Sequence, residues 1–173
     1  QTRAERVEGA WRVNGSKTLI SGALRADYLL TAVRTGGPGA GGISLLLIDA
    51  ASPGVTRCQV PGLGWYNASI GTLEFHDVAV PLERLVGVEN RGFAGLAQQF
   101  NIERISGIAA TLAMSRAALA EAIAWTRERQ AFGQRVIDHQ AVRHKLVELV
   151  GRVHGAYAWL DHCVWRMQRG DAI

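Results

Sequence analysis

The chain has 173 residues, a hydrophobic content of 48%, which is ample for a packed core, and a formal net charge of +4. The charge suits ligands that carry phosphate, but arginines and lysines are interleaved with acidic residues, which is unlike a nucleic-acid-binding arm. Since no stretch approaches the roughly 18–20 uninterrupted apolar residues of a membrane span, and the polar start is unlike a signal peptide, we expect a cytoplasmic protein, or a mitochondrial matrix protein in a eukaryote.

The first half of the chain, as far as about Pro81, has the pattern of β-strands. Short runs rich in Val, Leu, Ile and Thr are separated by Gly, Pro, Asn and Asp. The segment WRVNGSKTLIS is interpreted as two strands joined by a tight turn at Asn14 and Gly15, because both residue types tolerate positive φ. Further strands are predicted in ADYLLTAVRT, GISLLLIDA, GVTRCQV and GTLEFHDVAV. Antiparallel strands of this size indicate a small barrel or sandwich.

A glycine-rich segment, GPGAGG at residues 37–42, matches the spacing G-x-G-x-x-G literally. In a dinucleotide-binding fold this motif follows a strand and opens a helix, whose N-terminal amides receive the pyrophosphate. Here the next segment is the apolar run ISLLLI, which has the pattern of a strand. We therefore interpret the glycines as a flexible hairpin loop and not as a nucleotide-binding turn.

From about residue 91 the hydrophobic pattern becomes helical. Two proline-free stretches rich in Ala, Leu, Glu and Arg predict helices over about Phe93–Gln130 and Asp138–Arg169. In the second helix the apolar residues recur every three or four positions, at Val142, Leu146, Leu149, Val153, Tyr157 and Leu160. Helices of roughly thirty residues need other helices to pack against, so we expect them to belong to a larger bundle. The predicted class is α+β.

Cysteine and histidine positions do not favour a disulfide or a metal site. Cys58 and Cys163 lie far apart without a cysteine two residues away, and we expect both to be buried free thiols. The five histidines include no His-Glu-x-x-His sequence. His139 and His144 lie about 140° apart around a helix, so they do not share a face. No metal site is predicted.

A carboxylate in the first long helix is a candidate general base. Helix geometry places Glu103 on the same broad face as Phe100, Gly107 and Met114, and we therefore expect it to lie beside the space left by the glycine. Burial without a partner disfavours the charged form of a carboxylate, which is how enzymes tune a general base. An ion pair with Arg104, or partial exposure, explains the same residue without any catalytic role.

The connection between the two helices carries further candidates. Arg129 suits the negative end of the first helix dipole, and Gly133 suits a C-terminal cap. Neither role explains Phe132 between them. The sequence DHQ at the start of the second helix offers free backbone amides to an anion. Asp138 as a simple N-cap is an adequate alternative.

These segments together resemble the acyl-CoA dehydrogenase family. ERQAFGQRVIDHQAVRHKLVEL is similar to the family's Arg-x-x-Phe-Gly and His-Gln signature, and VNGSKTLIS, GISLLLID and LEFHDVAVP are similar to its middle β-domain, in order and at fitting separations. The resemblance implies a partial, barrel-like or sandwich-like middle domain over residues 1–90 and the first two helices of a C-terminal four-helix bundle over residues 91–173. It also implies that an N-terminal helical domain and two flavin-binding segments of the family lie outside this sequence.

The resemblance implies FAD as the cofactor. Leu19, Ile20 and Ser21 match positions that line the flavin ring; Ser21 keeps a hydroxyl donor near N5, and Leu19 replaces the usual Trp or Phe. Four residues match positions that contact FAD bound to a neighbouring subunit, namely Arg129, Phe132, His139 and Gln140. A shared FAD site implies a homo-oligomer, a dimer or a tetramer.

The resemblance also implies an acyl-CoA substrate and an electron-transfer flavoprotein as electron acceptor. Asn101 and Arg104 match CoA-contacting positions, and Phe100 lies at the floor of the acyl pocket. Glu103 precedes that Arg as the catalytic Glu does in the long-chain and isovaleryl branches, which implies that it removes the α-proton while a hydride leaves for FAD. Two alternatives stay open: an oxygen-using acyl-CoA oxidase or flavin monooxygenase relative, and a folded fragment or oligomerisation module without activity alone.

Overall fold

The computed structural model describes residues 2–64 and 67–171, which fold into two compact units, Gln1–Ala97 and Gln98–Ile173. The first unit contains a seven-stranded sheet in the order β5-β6-β2-β1-β3-β4-β7, in which every neighbouring pair is antiparallel except β1 and β3. The strands are β1 (Arg3–Val7), β2 (Ala10–Ile20), β3 (Tyr28–Arg34), β4 (Ile43–Asp49), β5 (Val55–Gln59), β6 (Gly71–Pro81) and β7 (Leu85–Val86). Together with the long helices, this sheet confirms the α+β class.

One face of the sheet carries the core of the first unit. In β3 and β4 alternate residues are buried, which is the period of two expected for strands with one face covered. Trp11 and Phe75 are the largest fully buried side chains described, and they lie on the central neighbours β2 and β6. The strands therefore form because their alternating apolar residues reach one shared core.

The turn predicted at Asn14 and Gly15 is wrong. β2 continues through both residues, and Gly15, with φ of 125°, lies where the pairing of β2 with β6 shifts register. The Asn14 side chain donates to Asp77 Oδ1 at 2.8 Å and accepts from the Asp77 backbone N–H at 2.9 Å. Asp77 has φ of 50°, so the amide holds an irregular residue on the opposite strand. Asn14 is therefore not in a turn but lies opposite a β-bulge of β6, where His76 and Asp77 together face one residue of β2.

The polar start of the chain forms a strand, β1, which its composition did not predict. β1 buries only Ala4 among its five residues, yet it lies between β2 and β3 in the sheet. It forms a tight hairpin with β2 in which Val7 pairs with Ala10, and Gly9 in the turn has φ of 73°. Strand pairing, and not hydrophobicity, places this segment.

The glycine-rich loop joins the antiparallel neighbours β3 and β4, which confirms the predicted hairpin. The loop contains only a three-residue 3-10 turn, Ala40–Gly42, where a dinucleotide-binding fold has a helix. The Arg34 guanidinium donates to the carbonyl oxygens of Gly37 and Gly39, the latter at 3.1 Å. The Arg34 side chain therefore bridges two carbonyl oxygens of the loop.

Two long helices account for most of the second unit. α1 (Gly92–Glu128) and α2 (Gln140–Gln168) begin and end within two residues of the predicted bounds. They are joined by two short strands, β8 (Gln130–Ala131) and β9 (Gln134–Arg135). The Arg116 guanidinium lies 5.4 Å from the centre of the Tyr157 ring, a contact that requires α2 to run back along α1.

α1 is the one described helix long and apolar enough to cross a membrane, judged by length and composition alone. Its exposed apolar side chains lie on several sides of the helix and include Phe93, Phe100, Ile102, Ile108, Met114 and Trp125. A helix that is apolar all round is also typical of one surrounded by other helices in a large bundle. This composition fits the bundle position that the sequence predicts for α1.

Both cysteines are free, but the prediction that both are buried is wrong. Cys58 is exposed because it lies on β5, a strand at the edge of the sheet that exposes most of its residues, and Cys163 is half-buried on α2. Among the described residues no group of three His, Cys, Asp or Glu side chains is arranged to hold a metal ion.

Two glycines with positive φ provide a test of the sheet geometry. A Cβ at Gly54 would collide with the carbonyl oxygen of His76, whereas a Cβ at Gly9 would meet open space. The only expected cost of Gly9→Ala is the left-handed backbone conformation, which should lower the free energy of unfolding by about 1 kcal/mol. Gly54→Ala is expected to cost roughly 3 kcal/mol, because β5 or β6 must also shift. Urea unfolding measures both, and equal losses would contradict the close approach.

Candidate functional site

The link between α1 and α2 forms a compact hairpin that carries most of the predicted cofactor residues. β8 pairs with β9 and leaves Phe132 and Gly133 as the two turn residues. Their φ angles are 54° and 80°, the positive values that a type I′ turn requires. The Val136 N–H donates to the Arg129 carbonyl oxygen at 2.8 Å and closes the base of the hairpin.

Phe132 occupies this turn at an energetic cost. A left-handed backbone is unfavourable by roughly 1–2 kcal/mol for a residue with a side chain, and Asn or Gly is the usual choice. The Phe132 side chain does not recover this cost by burial, since the residue is 97% exposed. An exposed apolar ring on a strained backbone is typical of a position that serves a ligand or a partner.

The His139 ring ties the hairpin to the start of α2. Its Nε2 lies 3.1 Å from the Ala131 carbonyl oxygen, and its Nδ1 lies 2.9 Å from Gln134 Nε2. The edge of one ring faces the other between His139 and Phe132, with 6.1 Å between ring centres. The position of Phe132 is therefore coupled to that of His139.

Asp138 is not the N-cap of α2, so the alternative explanation of this residue as a simple cap is wrong. It lies in a 3-10 turn, Val136–Asp138, and His139 occupies the cap position without a side-chain cap hydrogen bond. Arg135 donates from Nε to Asp138 Oδ2 at 2.9 Å and from Nη2 to Oδ1 at 3.2 Å. These hydrogen bonds lower the pKa of Asp138 and raise the pKa of Arg135. The Asp138 carboxylate therefore stabilises the loop through Arg135 and does not cap α2.

Arg129 and Gln140 present polar groups beside the hairpin. Both residues are exposed, Arg129 directly after α1 and Gln140 as the first residue of α2. Within the described part of the chain, the Arg129 guanidinium forms no ion pair, so its donors are available to an anion. The hairpin thus offers a cation, an amide and an aromatic ring within one short segment.

Glu103 on α1 is exposed, which contradicts the expected burial. The alternative ion pair with Arg104 is not formed in the described chain either. The Arg104 Nη1 instead donates to Asn101 Oδ1 at 3.3 Å, and its guanidinium lies 5.9 Å from the centre of the Phe100 ring. A Cβ at Gly107 would meet nothing within contact distance, so the expected space beside the glycine exists but is open to solvent.

The same stretch of α1 bears a shallow apolar groove of about 400 Å³. Arg104 lies at one end of the groove, and its other lining residues are Gly107, Ile108, Thr111 and Leu112. The residues recur three and four apart, so they share one side of the helix. Of the predicted site residues on α1, Arg104 lines this groove, whereas Phe100, Asn101 and Glu103 do not.

The third group of predicted residues lies at the end of β2, in the first unit. The pairing of β2 with β6 shifts register between Lys17 and Ile20, and within the shift Leu19 has φ of 57°. Leu19 is 70% exposed, Ser21 is exposed, and Ile20 packs partly against the core. Leu19 is thus a second exposed apolar residue on a left-handed backbone, like Phe132.

Two polar residues of these regions were not singled out from the sequence. Gln134 bonds the His139 ring, and its place directly after a two-residue turn is the only signal that indicates it. Lys17 pairs with Leu73 on the core face of β2 and is half-buried, and this burial lowers the pKa of its ammonium group. Simple alternation along β2 indicates this position, because Lys17 is two residues after Gly15 and four after the buried Val13, on the same face of the strand.

Comparison with known proteins shows two matches that together span most of the chain. Residues 1–78 match the family model "Acyl-CoA dehydrogenase, middle domain", and residues 90–173 match "Acyl-CoA dehydrogenase, C-terminal domain". Among similar relatives, acyl-CoA dehydrogenase apdG of Emericella nidulans is 34% identical over 156 residues, which are 90% of this chain and 36% of the relative. The mitochondrial long-chain specific acyl-CoA dehydrogenase of Rattus norvegicus is 32% identical over 95% of this chain and 39% of its own length.

The solved structures give the same result. A crystal structure of a probable acyl-CoA dehydrogenase from Mycobacterium abscessus superposes with a TM-score of 0.94 and 42% sequence identity. The superposition covers 99% of this chain and 46% of that one. The chain therefore spans less than half the length of the relatives it matches.

The Arg135 and Asp138 pair predicts a pH-dependent contribution to stability. Because the folded pKa of Asp138 is lowered, the contribution is complete above the unfolded value of about 3.9 and is lost as the pH falls below it. Asp138→Asn is expected to lower the melting temperature at neutral pH, with the difference from wild type shrinking below about pH 4. Asp161→Asn, which removes an α2 carboxylate without an ion pair in the described chain, is the control. A pH-independent difference for Asp138→Asn would contradict the pair.

Proposed function

The chain belongs to the acyl-CoA dehydrogenase family, and from that premise we propose that it forms part of the FAD and substrate site of an enzyme that dehydrogenates acyl-CoA thioesters. The observation that carries the proposal is shared by Leu19 and Phe132. Both are exposed apolar residues on left-handed backbones, and both match flavin-enzyme positions that contact FAD. Such residues gain little burial from the described fold, whereas a planar cofactor would cover them.

The hairpin residues suit the pyrophosphate and the adenine of the cofactor. The Arg129 guanidinium presents a planar fork of donors to a pyrophosphate, and the Phe132 ring presents an apolar face to adenine. Gln140 adds amide donors and acceptors. Because these groups point from an exposed hairpin, we propose that they contact FAD on a neighbouring subunit of a homo-oligomer. Bound FAD would supply the hydride acceptor, and an electron-transfer flavoprotein would reoxidise it.

The α1 residues suit proton removal from a thioester. Since Arg104 is engaged by Asn101 and the Phe100 ring, the Glu103 carboxylate keeps its oxygens available to accept the α-proton. The groove beside Arg104 offers the acyl chain an apolar surface. The exposed Ser21 hydroxyl, after the end of β2, would be a hydrogen-bond donor to the flavin. Among the described residues nothing covers Glu103, so water exclusion requires a further element.

A second candidate function is a helix-pairing module that binds no cofactor. The exposed apolar side chains of α1 and α2 favour it, because contiguous apolar surface promotes association. An oxygen-using relative of the same fold differs from a dehydrogenase in the reactivity of its reduced flavin, which is measured directly by reoxidation in air.

Glu103→Gln tests the base. Wild type with added FAD is expected to show flavin bands near ~370 and ~450 nm, and an acyl-CoA is expected to bleach the second band anaerobically. Glu103→Gln is expected to bind FAD equally but to bleach slower by roughly 10²–10⁴-fold, because the amide cannot accept the proton. Stopped-flow absorbance measures the rate.

Glu121→Gln, also on α1, is the matched control and is expected to bleach at the wild-type rate. A wild-type rate in Glu103→Gln would remove Glu103 from the role of base. Absence of flavin binding at excess FAD would favour the helix-pairing module.

Arg129→Ala tests the cofactor contact. Loss of a charged hydrogen bond is expected to raise the Kd for FAD at least about tenfold. Arg129→Lys is expected to restore only part of the affinity, because an ammonium cannot form the paired contact. Arg127→Ala, in the last turn of α1, should change the Kd less than about twofold. Titration by flavin fluorescence gives the Kd, and equal effects at both arginines would argue against the site.

A further inference from the structure

The hydrogen-bond partners of the His139 ring indicate its tautomer. A carbonyl oxygen only accepts hydrogen bonds, so the Ala131 carbonyl oxygen, 3.1 Å away, requires a proton on His139 Nε2. In the neutral ring Nδ1 is then an acceptor, and it lies 2.9 Å from the Gln134 side-chain amide, which supplies the donor. The neutral Nε2–H tautomer satisfies both contacts at once.

Both ring nitrogens of His139 are used inside the chain. Each imidazole nitrogen forms one hydrogen bond in the plane of the ring, and here one reaches back to Ala131 and the other to Gln134. The two partners lie on opposite strands of the hairpin, since β8 contains Ala131 and β9 contains Gln134. The ring therefore joins both strands to the residue that precedes α2.

We propose that His139 is a positioning residue, a neutral Nε2–H imidazole that anchors the hairpin on the start of α2 and so holds Phe132 in its exposed, left-handed conformation. Its ring nitrogens do not contact the cofactor, which departs from the direct flavin contact implied by the family resemblance. The effect on FAD rests on the proposed function, whereas the tautomer and its partners do not.

Gln134 has a defined part in this arrangement. The acceptor Nδ1 needs an N–H donor, which an amide provides and a carboxylate or an aliphatic side chain does not. The turn needs such support, because a phenylalanine in its first position disfavours the backbone that the hairpin requires. Gln134 and His139 therefore act together on the geometry of Phe132.

Nitrogen-15 NMR of the histidine rings tests the tautomer in the full chain without cofactor. His139 is expected to show a protonated Nε2, a ring N–H protected from solvent exchange and an unprotonated Nδ1. His154, exposed on α2, is the internal reference and is expected to lose its ring N–H signal to exchange. Gln134→Leu is expected to move the Nδ1 resonance and leave Nε2 protonated. A proton on Nδ1, or an Nδ1 resonance unchanged in Gln134→Leu, would overturn the proposal.

Rescue and coupling test the consequence for FAD. His139→Leu is expected to raise the Kd about tenfold, whereas His139→Gln, which keeps an amide donor toward Ala131, is expected to stay within about threefold of wild type. If His139 acts through Phe132, then Phe132→Ala adds little to the loss already caused by His139→Leu. Additive losses, or no rescue by His139→Gln, would overturn positioning. If wild type binds no FAD, the proposed function fails, and the NMR result alone decides the role of His139.

Discussion

The pairing of β2 with β6 sets the geometry of the whole first unit. These are its two longest strands, and they carry the fully buried Trp11 and Phe75. On one side β6 pairs with the edge strand β5, and on the other side β2 pairs with β1, beyond which β3, β4 and β7 follow in order. Their register shifts twice, at Gly15 and before Ile20. A shift of one residue moves side chains to the opposite face, so the second shift is what turns Leu19 outward from a strand that otherwise serves the core.

The second unit exposes an apolar residue on a left-handed backbone in a different way, through a short hairpin. Two long helices supply no positive φ, but the short hairpin between them does, and it presents Phe132 to solvent. The imidazole of His139, the amide of Gln134 and the bidentate pair of Arg135 with Asp138 occupy the polar groups of this loop. These groups are satisfied internally, whereas Arg129, Phe132 and Gln140 are exposed.

The sequence predicted which residues form the candidate site, but it did not predict their hydrogen-bond partners or their exposure. The signature at the hairpin identified Arg129, Phe132, His139 and Gln140, and the structure places them around one turn. It did not indicate that His139 is bonded on both sides, since one partner is a backbone carbonyl and the other, Gln134, is indicated only by its place after the turn. Glu103 illustrates the same limit. Its place on α1 followed from helical periodicity, but its exposure depends on which elements pack against that side of the helix.

The sequence by itself determined the α+β class, both long helices to within two residues and the hairpin character of the glycine-rich loop. These features follow from local periodicity, residue propensity and chain continuity, which need no distant partner. Only the tertiary structure decided that Asn14 and Gly15 lie within a strand opposite a bulge of β6, that the polar start is a central strand and that Leu19 faces outward. Each depends on pairing between segments far apart in the chain, as with Asn14 and Asp77, which are 63 residues apart and hold one another by two hydrogen bonds. Such pairing is favourable only when both segments are in contact, so neither segment indicates it alone.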